Sequence, residues 1–177
     1  MSTPSPAPSL DTDRLSLRGH RVEDYPDSAA MWGDPEVCRY IGGRPFTREE
    51  CWQRVLRNAG HWQLMGFGYW VVREKATGRF VGEVGFANLE RDLVPSFGDA
   101  PEMGWVLAPW AHGRGYAMEA VRAGLAWARS TWGARRLVCL IDPGNAPSLR
   151  VAERAGFREF ARSTYHGDPA VLLERHN

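Results

Sequence analysis

Cysteine is scarce in this chain, and the three present, Cys38, Cys51 and Cys139, are odd in number and scattered, without the paired spacing that clamps zinc. At 177 residues the chain can bury a full core without disulfides or metals, so this usage fits a reducing, cytoplasmic setting. An excess of one charge is also lacking. The 22 Lys and Arg are balanced by 21 Asp and Glu, giving a formal net charge of +1, which argues against a polynucleotide binder that works by neutralising phosphates. No stretch approaches the ~20 apolar residues of a membrane span. The opening "MSTPSPAPS" lacks the basic start and apolar run of a signal peptide, and residues 1–9 read as a disordered tail ahead of a single domain over residues 10–177. His20, His61, His166 and His176 show no ligand spacing, and no G-x-S-x-G elbow accompanies them. Metal centres and serine-hydrolase chemistry therefore have no support in the sequence.

What is present is a regular alternation of strand and helix signals. Leu15 and Leu17 alternate with polar neighbours in "RLSLRG", as a strand with one buried face does. Helical spacing follows over "VEDYPDSAAMW" and stops at Gly33, interrupted by Pro26. Thr47 and Glu50 form a capping box, with Trp52, Val55, Leu56 and Ala59 on one face of the helix they open. Residues 67–90 predict an antiparallel hairpin turning at "KATG", and "EMGWVLA" (102–108) predicts a further strand. Ala117, Ala120, Val121, Gly124, Leu125 and Ala128 recur at helical intervals, and the nearly all-apolar "RRLVCLID" (135–142) follows them. Strand, helix, strand in that order implies a parallel pair with a right-handed crossover. Asn145 then serves as an N-cap, Gly156 ends the helix, and residues 157–165 and 170–174 supply two last strands. The fold class is α/β.

The chemistry points to "HGRGYAMEA" (112–120), where two glycines precede the helix with the alanine-rich stripe. A helix start carries unpaired N–H groups and a partial positive charge, and bare backbone lets an anion approach within hydrogen-bond distance. A plain tight turn is the alternative. A P-loop is excluded because no Lys-Ser or Lys-Thr follows, and the dinucleotide fingerprint fails at Met118, where its third small residue belongs.

"EMGWVLAPWAHGRGYAMEAVRAGLAWA" followed by "NAPSLRVAERAGF" resembles the coenzyme A motif of the GNAT N-acetyltransferases, in particular the ribosomal-protein alanine acetyltransferase branch. "DTDRLSLRGHRVEDY" and "GDPEVCRYIGG" extend the resemblance over nearly the whole chain after the tail. Gly115 and Ala117 take the small positions of the family's loop, while His112 stands where Gln or Arg is usual. The resemblance implies a mixed central sheet of about six or seven strands with an antiparallel first half, a splayed parallel crossover and about four flanking helices. It implies acetyl-CoA as co-substrate with no metal, its pyrophosphate on the amides of Gly113, Arg114, Gly115, Tyr116 and Ala117, and its pantetheine arm along Trp105, Val106 and Leu107. Arg114 is either a phosphate contact or a solvated helix-start arginine.

The reaction so implied is direct attack of an amine on the thioester, which requires a proton acceptor and stabilisation of an oxyanion and a thiolate. Glu102, where relatives often carry a base, is the first choice, and Glu83 in the neighbouring strand is the reserve. Asn145 matches a position that contacts pantetheine or orders water while also capping its helix. Ser148 sits where this branch places a hydroxyl that protonates the thiolate, whereas the tyrosine used by other members is here Ala152. Cys139 reads as core. Trp70 and its run "FGYW" lie where the family's acceptor groove passes, and the acidic link "ANLERDLVPSFGDAPE" (87–102) is a further place for a cationic acceptor to touch, or simply a solvated loop. A homodimer is implied by resemblance alone. The sequence leaves open whether the acceptor is a protein N-terminus or a small amine, whether a bulkier acyl-CoA is used, and whether the chain binds coenzyme without turnover.

Overall fold

A computed structural model describes residues 7–177. Its sheet has eight strands in the order β1-β2-β3-β4-β5-β6-β8-β7. They are β1 (Leu10–Asp11), β2 (Leu15–Arg18), β3 (Tyr69–Glu74), β4 (Phe80–Ala87), β5 (Glu102–Leu107), β6 (Arg136–Ile141), β7 (Arg158–Tyr165) and β8 (Asp168–His176). Five helices accompany them: α1 (Tyr25–Trp32), α2 (Pro35–Cys38), α3 (Arg48–Met65), α4 (Tyr116–Trp132) and α5 (Ala146–Arg154). Each count exceeds the expectation by one element or so. The added strand is β1, two residues long, and the added helix is α2, a single turn capped by Asp34. Both are too short to carry a periodic signal.

Local chemistry explains the main boundaries. The Thr47 side chain accepts from the Glu50 amide, the Glu50 carboxylate accepts from the Thr47 amide, and Gly66 closes α3 at φ 73. Pro26 does not interrupt a helix. It sits in the first turn of α1, where its missing N–H costs nothing, and Val22–Asp24 before it form a separate 3₁₀ turn. Residues 1–6, the larger part of the expected disordered tail, lie outside the described residues. Of the rest of that stretch, the Pro8 carbonyl accepts a hydrogen bond of 2.8 Å from the Trp70 indole, so the ordered chain begins before Leu10.

Every neighbouring pair in the sheet is antiparallel except β5 and β6, whose parallel ladder is reduced to Glu102 opposite Val138. Past that pair the two strands part, which is the splay expected of the crossover. On one face of the sheet α4 packs over Trp70, Val72, Val84, Phe86 and Met103. A Cβ at Gly124 would lie 3.2 Å from the Met103 methyl, so the glycine lets this helix press close. On the other face α1, α2 and the first turns of α3 cover Val71, Phe80 and Val106, while Trp62 near the end of α3 reaches the α4 side, and an opening is left at the β5 and β6 end. Among the described residues no helix is long and apolar enough to cross a membrane, and no group of three or more His, Cys, Asp or Glu could hold a metal ion.

Candidate active site

Where β5 and β6 part, a cleft of about 520 Å³ opens between the strand ends, the start of α5, the β7–β8 turn and the wall formed by α2 and α3. Glu102, Trp105, Val106, Asn145 and Ser148 all line it, so the chain folds five of the expected site residues into one space.

The loop leading into α4 has the geometry its glycines suggested. Gly113 and Gly115 lie at φ 72 and 78, in the left-handed region that favours glycine. Gly115 is the N-cap of α4 and no side chain caps the helix, so its first N–H groups are left to an outside acceptor. A Cβ at Gly113 would meet nothing within 4 Å. The residues present therefore fit a diphosphate. Among the described residues Arg114, exposed, donates only to the Trp110 carbonyl, at 3.1 Å. Arg14, which the sequence reading passed over, donates to the Arg114 carbonyl, pairs with Glu119 at 2.7 Å and lies 4.5 Å over the Tyr116 ring, bracing the loop from the residue just before β2.

Three expected coenzyme contacts take a different form. Tyr116 is buried and its hydroxyl donates to Glu74, so only its main chain faces the loop. His112 Nε2 lies 2.9 Å from the Leu107 carbonyl; a carbonyl only accepts, so the ring nitrogen donates and the imidazole buttresses the turn between β5 and the loop. The Val106 carbonyl points at β4, where a Cβ on Gly82 would meet it. Strand alternation then turns the amide and carbonyl of Trp105 toward the open edge. Of the run 105–107, Trp105 presents a complete, unpaired peptide edge to the splay.

Glu102 is 7% exposed, and both its oxygens are held by Arg91, at 2.6 Å from Nε and 2.8 Å from an Nη. Glu83 is not brought to the cleft. Its carboxylate is buried on the α1 side and accepts from Ser28 Oγ at 2.8 Å, the Trp32 indole at 3.2 Å and His20 Nε2 at 3.2 Å. Burial opposes its charge, but hydrogen bonding and attraction from His20, with the field of Arg54, prevail and hold its pKa at about 2. Asn145 caps α5 by accepting from the Ser148 amide at 3.2 Å, and Ala152 is wholly buried on the inner face of that helix. Cys139 is buried in β6, where burial, and next the Glu102 charge, push its thiol well above the ordinary range.

The aromatic run divides by strand alternation. Trp70 is fully buried on the α4 face, while Tyr69 faces the cleft. A Cβ on Gly104 would fall 1.9 Å from the Tyr69 hydroxyl, so this glycine makes the space in which the phenol rests against β5. Burial, and next the Glu102 charge, raise the Tyr69 pKa to about 12, keeping the phenol protonated. The acidic link also behaves differently from expectation, since Leu89 and Arg91 are the residues it sends to the cleft before Glu102.

With this geometry in view, comparison with known proteins defines the class. Residues 14–158 match the family model described as the acetyltransferase (GNAT) domain. The chain therefore belongs to the GNAT acetyltransferase family, whose members take acetyl-CoA as co-substrate. It is 34% identical over 172 residues to the uncharacterized protein YkkB of Bacillus subtilis (strain 168), an alignment covering 94% of each chain. A structure from Bordetella pertussis assigned to the GnaT-family acetyltransferases superposes with a TM-score of 0.84 at 34% identity, covering 95% of this chain and 99% of that one. A ribosomal L7/L12 alpha-N-protein acetyltransferase in complex with coenzyme A shares the fold, with a TM-score of 0.77 at 17% identity over 95% and 97% of the two chains.

Proposed function

We propose that the protein acetylates a primary amine by direct attack within a ternary complex. The observation that carries this reading is a cleft that holds Glu102, Asn145 and Ser148 against the unpaired β5 edge, with the same strand leading on through residues 108–115 into an uncapped, glycine-entered helix. Acetyl-CoA supplies the activated acyl group. The amides of residues 113–117 and Arg114 would hold its diphosphate, and the Trp105 peptide edge with Asn145 would hold its pantetheine amides.

The N–C bond forms as the C–S bond breaks, and the amine must shed a proton. Glu102 takes that proton, directly or through a water, with Arg91 fixing the carboxylate in place. Ser148 donates toward the leaving sulfur. The Tyr69 phenol, kept protonated beside Gly104, is a second donor at the same cleft. Titration calorimetry with acetyl-CoA, followed by a free-thiol assay against a panel of amino acids, peptides and polyamines, tests the reading. Coenzyme binding with amine-dependent thiol release is the expected result. Binding without turnover of any amine would make the chain a coenzyme-binding module, and no binding would remove the assignment altogether.

A further inference from the structure

The wall of the cleft facing β5 and β6 is cationic. Arg39, just past α2, lines it together with Arg54 and Arg57, which are three apart on α3 and so share a helical face. Three carboxylates on this side are already engaged: Glu50 by Arg44 at 2.6 Å, Asp24 by Arg18 at 2.7 Å, and Glu83 by His20 at 3.2 Å. Arg54 is the most constrained of the three. Its guanidinium carbon lies 3.7 Å from the Trp32 ring centroid and 5.1 Å from that of Phe46, and those two rings stack at 5.0 Å. Among the described residues its Nε is buried with no hydrogen-bond partner. A buried donor without an acceptor is costly, and a guanidinium held over aromatic rings presents a planar fork in a fixed place, which suits a planar oxyanion.

The cleft also holds carboxylates: Glu102 at the start of β5, paired with Arg91, and Asp142 and Asp168 just past the end of β6 and at the start of β8. Glu102 therefore stands on the strand whose open edge would bring the thioester, while Arg39, Arg54 and Arg57, in no ion pair among the described residues, stand on the α2 and α3 wall. An ammonium and a carboxylate on one molecule match this polarity, whereas a polyamine would set positive charge against the arginines.

We infer that the acceptor carries a carboxylate on the same molecule as its reacting amine, and that Arg54 binds that carboxylate, with Arg57 and Arg39 adding charge. This rests on the acetyltransferase reading. Two sources share the chemistry, a free amino acid and the N-terminus of a peptide with an acidic side chain, and the test separates them.

Matched acceptors with one amine are compared: amino acids against their amides, amidated peptides with acidic against neutral second residues, and spermidine. The carboxylate member of each productive pair should be preferred by about 10- to 100-fold in kcat/KM, mostly through KM. Arg54→Gln should erase the preference, and Arg54→Lys should restore part of it. Acetyl-CoA affinity should be unchanged in both variants, showing that they fold. Calorimetric binding of the same acceptors to the protein without coenzyme gives an independent reading, with carboxylates bound more tightly than amides and the difference lost in Arg54→Gln. Preference for amides or spermidine, or a ratio indifferent to Arg54→Gln in both turnover and binding, overturns the inference. Loss of coenzyme binding in the parent protein would instead strike the acetyltransferase reading, leaving the direct binding measurement to decide this one.

Discussion

On the α4 face of the sheet, Trp62, Trp70, Trp127 and Trp132 meet one another and Phe86 largely edge to face, with Trp62 and Trp70 centroids 5.0 Å apart and Trp127 and Trp132 also 5.0 Å apart. On the α1 to α3 face, the same strands bury Glu83 against His20, Ser28 and Trp32, while the fully buried Asp24 accepts from Arg18, Arg73 and the Arg21 amide. The first face is held by area and ring geometry, each edge-to-face pair adding about 0.5–1.5 kcal/mol. The second is held by charge-assisted bonds whose loss would strand a buried ion. Chemistry sits on the second face because side chains that can move protons must project from strands that the first face keeps rigid. Tyr69 and Trp70, adjacent in β3, belong one to each.

That pair gives the sharpest way to break the comparison. Trp70→Ala should cost about 3–5 kcal/mol of unfolding free energy in urea, the price of a large cavity beneath α4. Tyr69→Phe should change stability by less than about 1 kcal/mol yet lower the rate of thiol release. If Tyr69→Phe proved as destabilising as Trp70→Ala, or left turnover untouched, the division of labour between the faces would be wrong.

Glu102→Gln comes next in size. It keeps shape and an acceptor for Arg91 but removes the basic carboxylate, so kcat should fall about 100-fold or more while acetyl-CoA affinity holds. Measuring both constants separates a base from a residue that only shapes the cleft, which would shift binding and rate together.

The polar face should respond to acid through Asp24. Burial works against the Asp24 charge, but hydrogen bonds from Arg18 and Arg73 outweigh it and hold the pKa at about 2. A carboxylate with a lowered folded-state pKa stabilises fully above its unfolded value near 4, and that contribution drains away as pH falls through 2. Asp24 should contribute about 2 kcal/mol over this window. Urea unfolding of Asp24→Asn between pH 5 and pH 2 should accordingly show a shallower loss than the parent, and Trp70→Phe should run parallel to the parent. Equal slopes in all three proteins would remove Asp24 from the acid response.

How much of this was legible in the sequence follows the same division. The α4 stripe, the α3 capping box and the Asn145 cap are local patterns of a few residues, and the elements they predict are present. The glycine loop was legible for the same reason, because a positive φ needs glycine wherever the rest of the chain goes. The faces of β3 were not. Val71 and Val72 are both buried, so the strand lacks the alternation that assigns sides. Arg54 and Arg57 read as surface residues of an amphipathic helix, and their place on the cleft appears only when α3 is set beside α2 and β5. The partners of Glu83 come from His20, Ser28 and Trp32, a clustering that no spacing along the chain announces.

The smallest effect is expected at Ser148, and its smallness is informative. The main-chain N–H of Ser148 satisfies the Asn145 cap, and alanine keeps that N–H, so Ser148→Ala should leave the unfolding free energy unchanged. Asn145→Ala, by contrast, removes the capping oxygen and should cost about 1 kcal/mol. A thiolate departs readily without a proton, so Ser148→Ala should slow turnover by only about 3- to 10-fold. Combining it with Tyr69→Phe is the decisive measurement. If the two hydroxyls donate to the same leaving sulfur, the double variant should lose more than the product of the single effects, because each single variant leaves the other donor in place. Strictly multiplicative losses would assign the phenol and the serine to separate tasks.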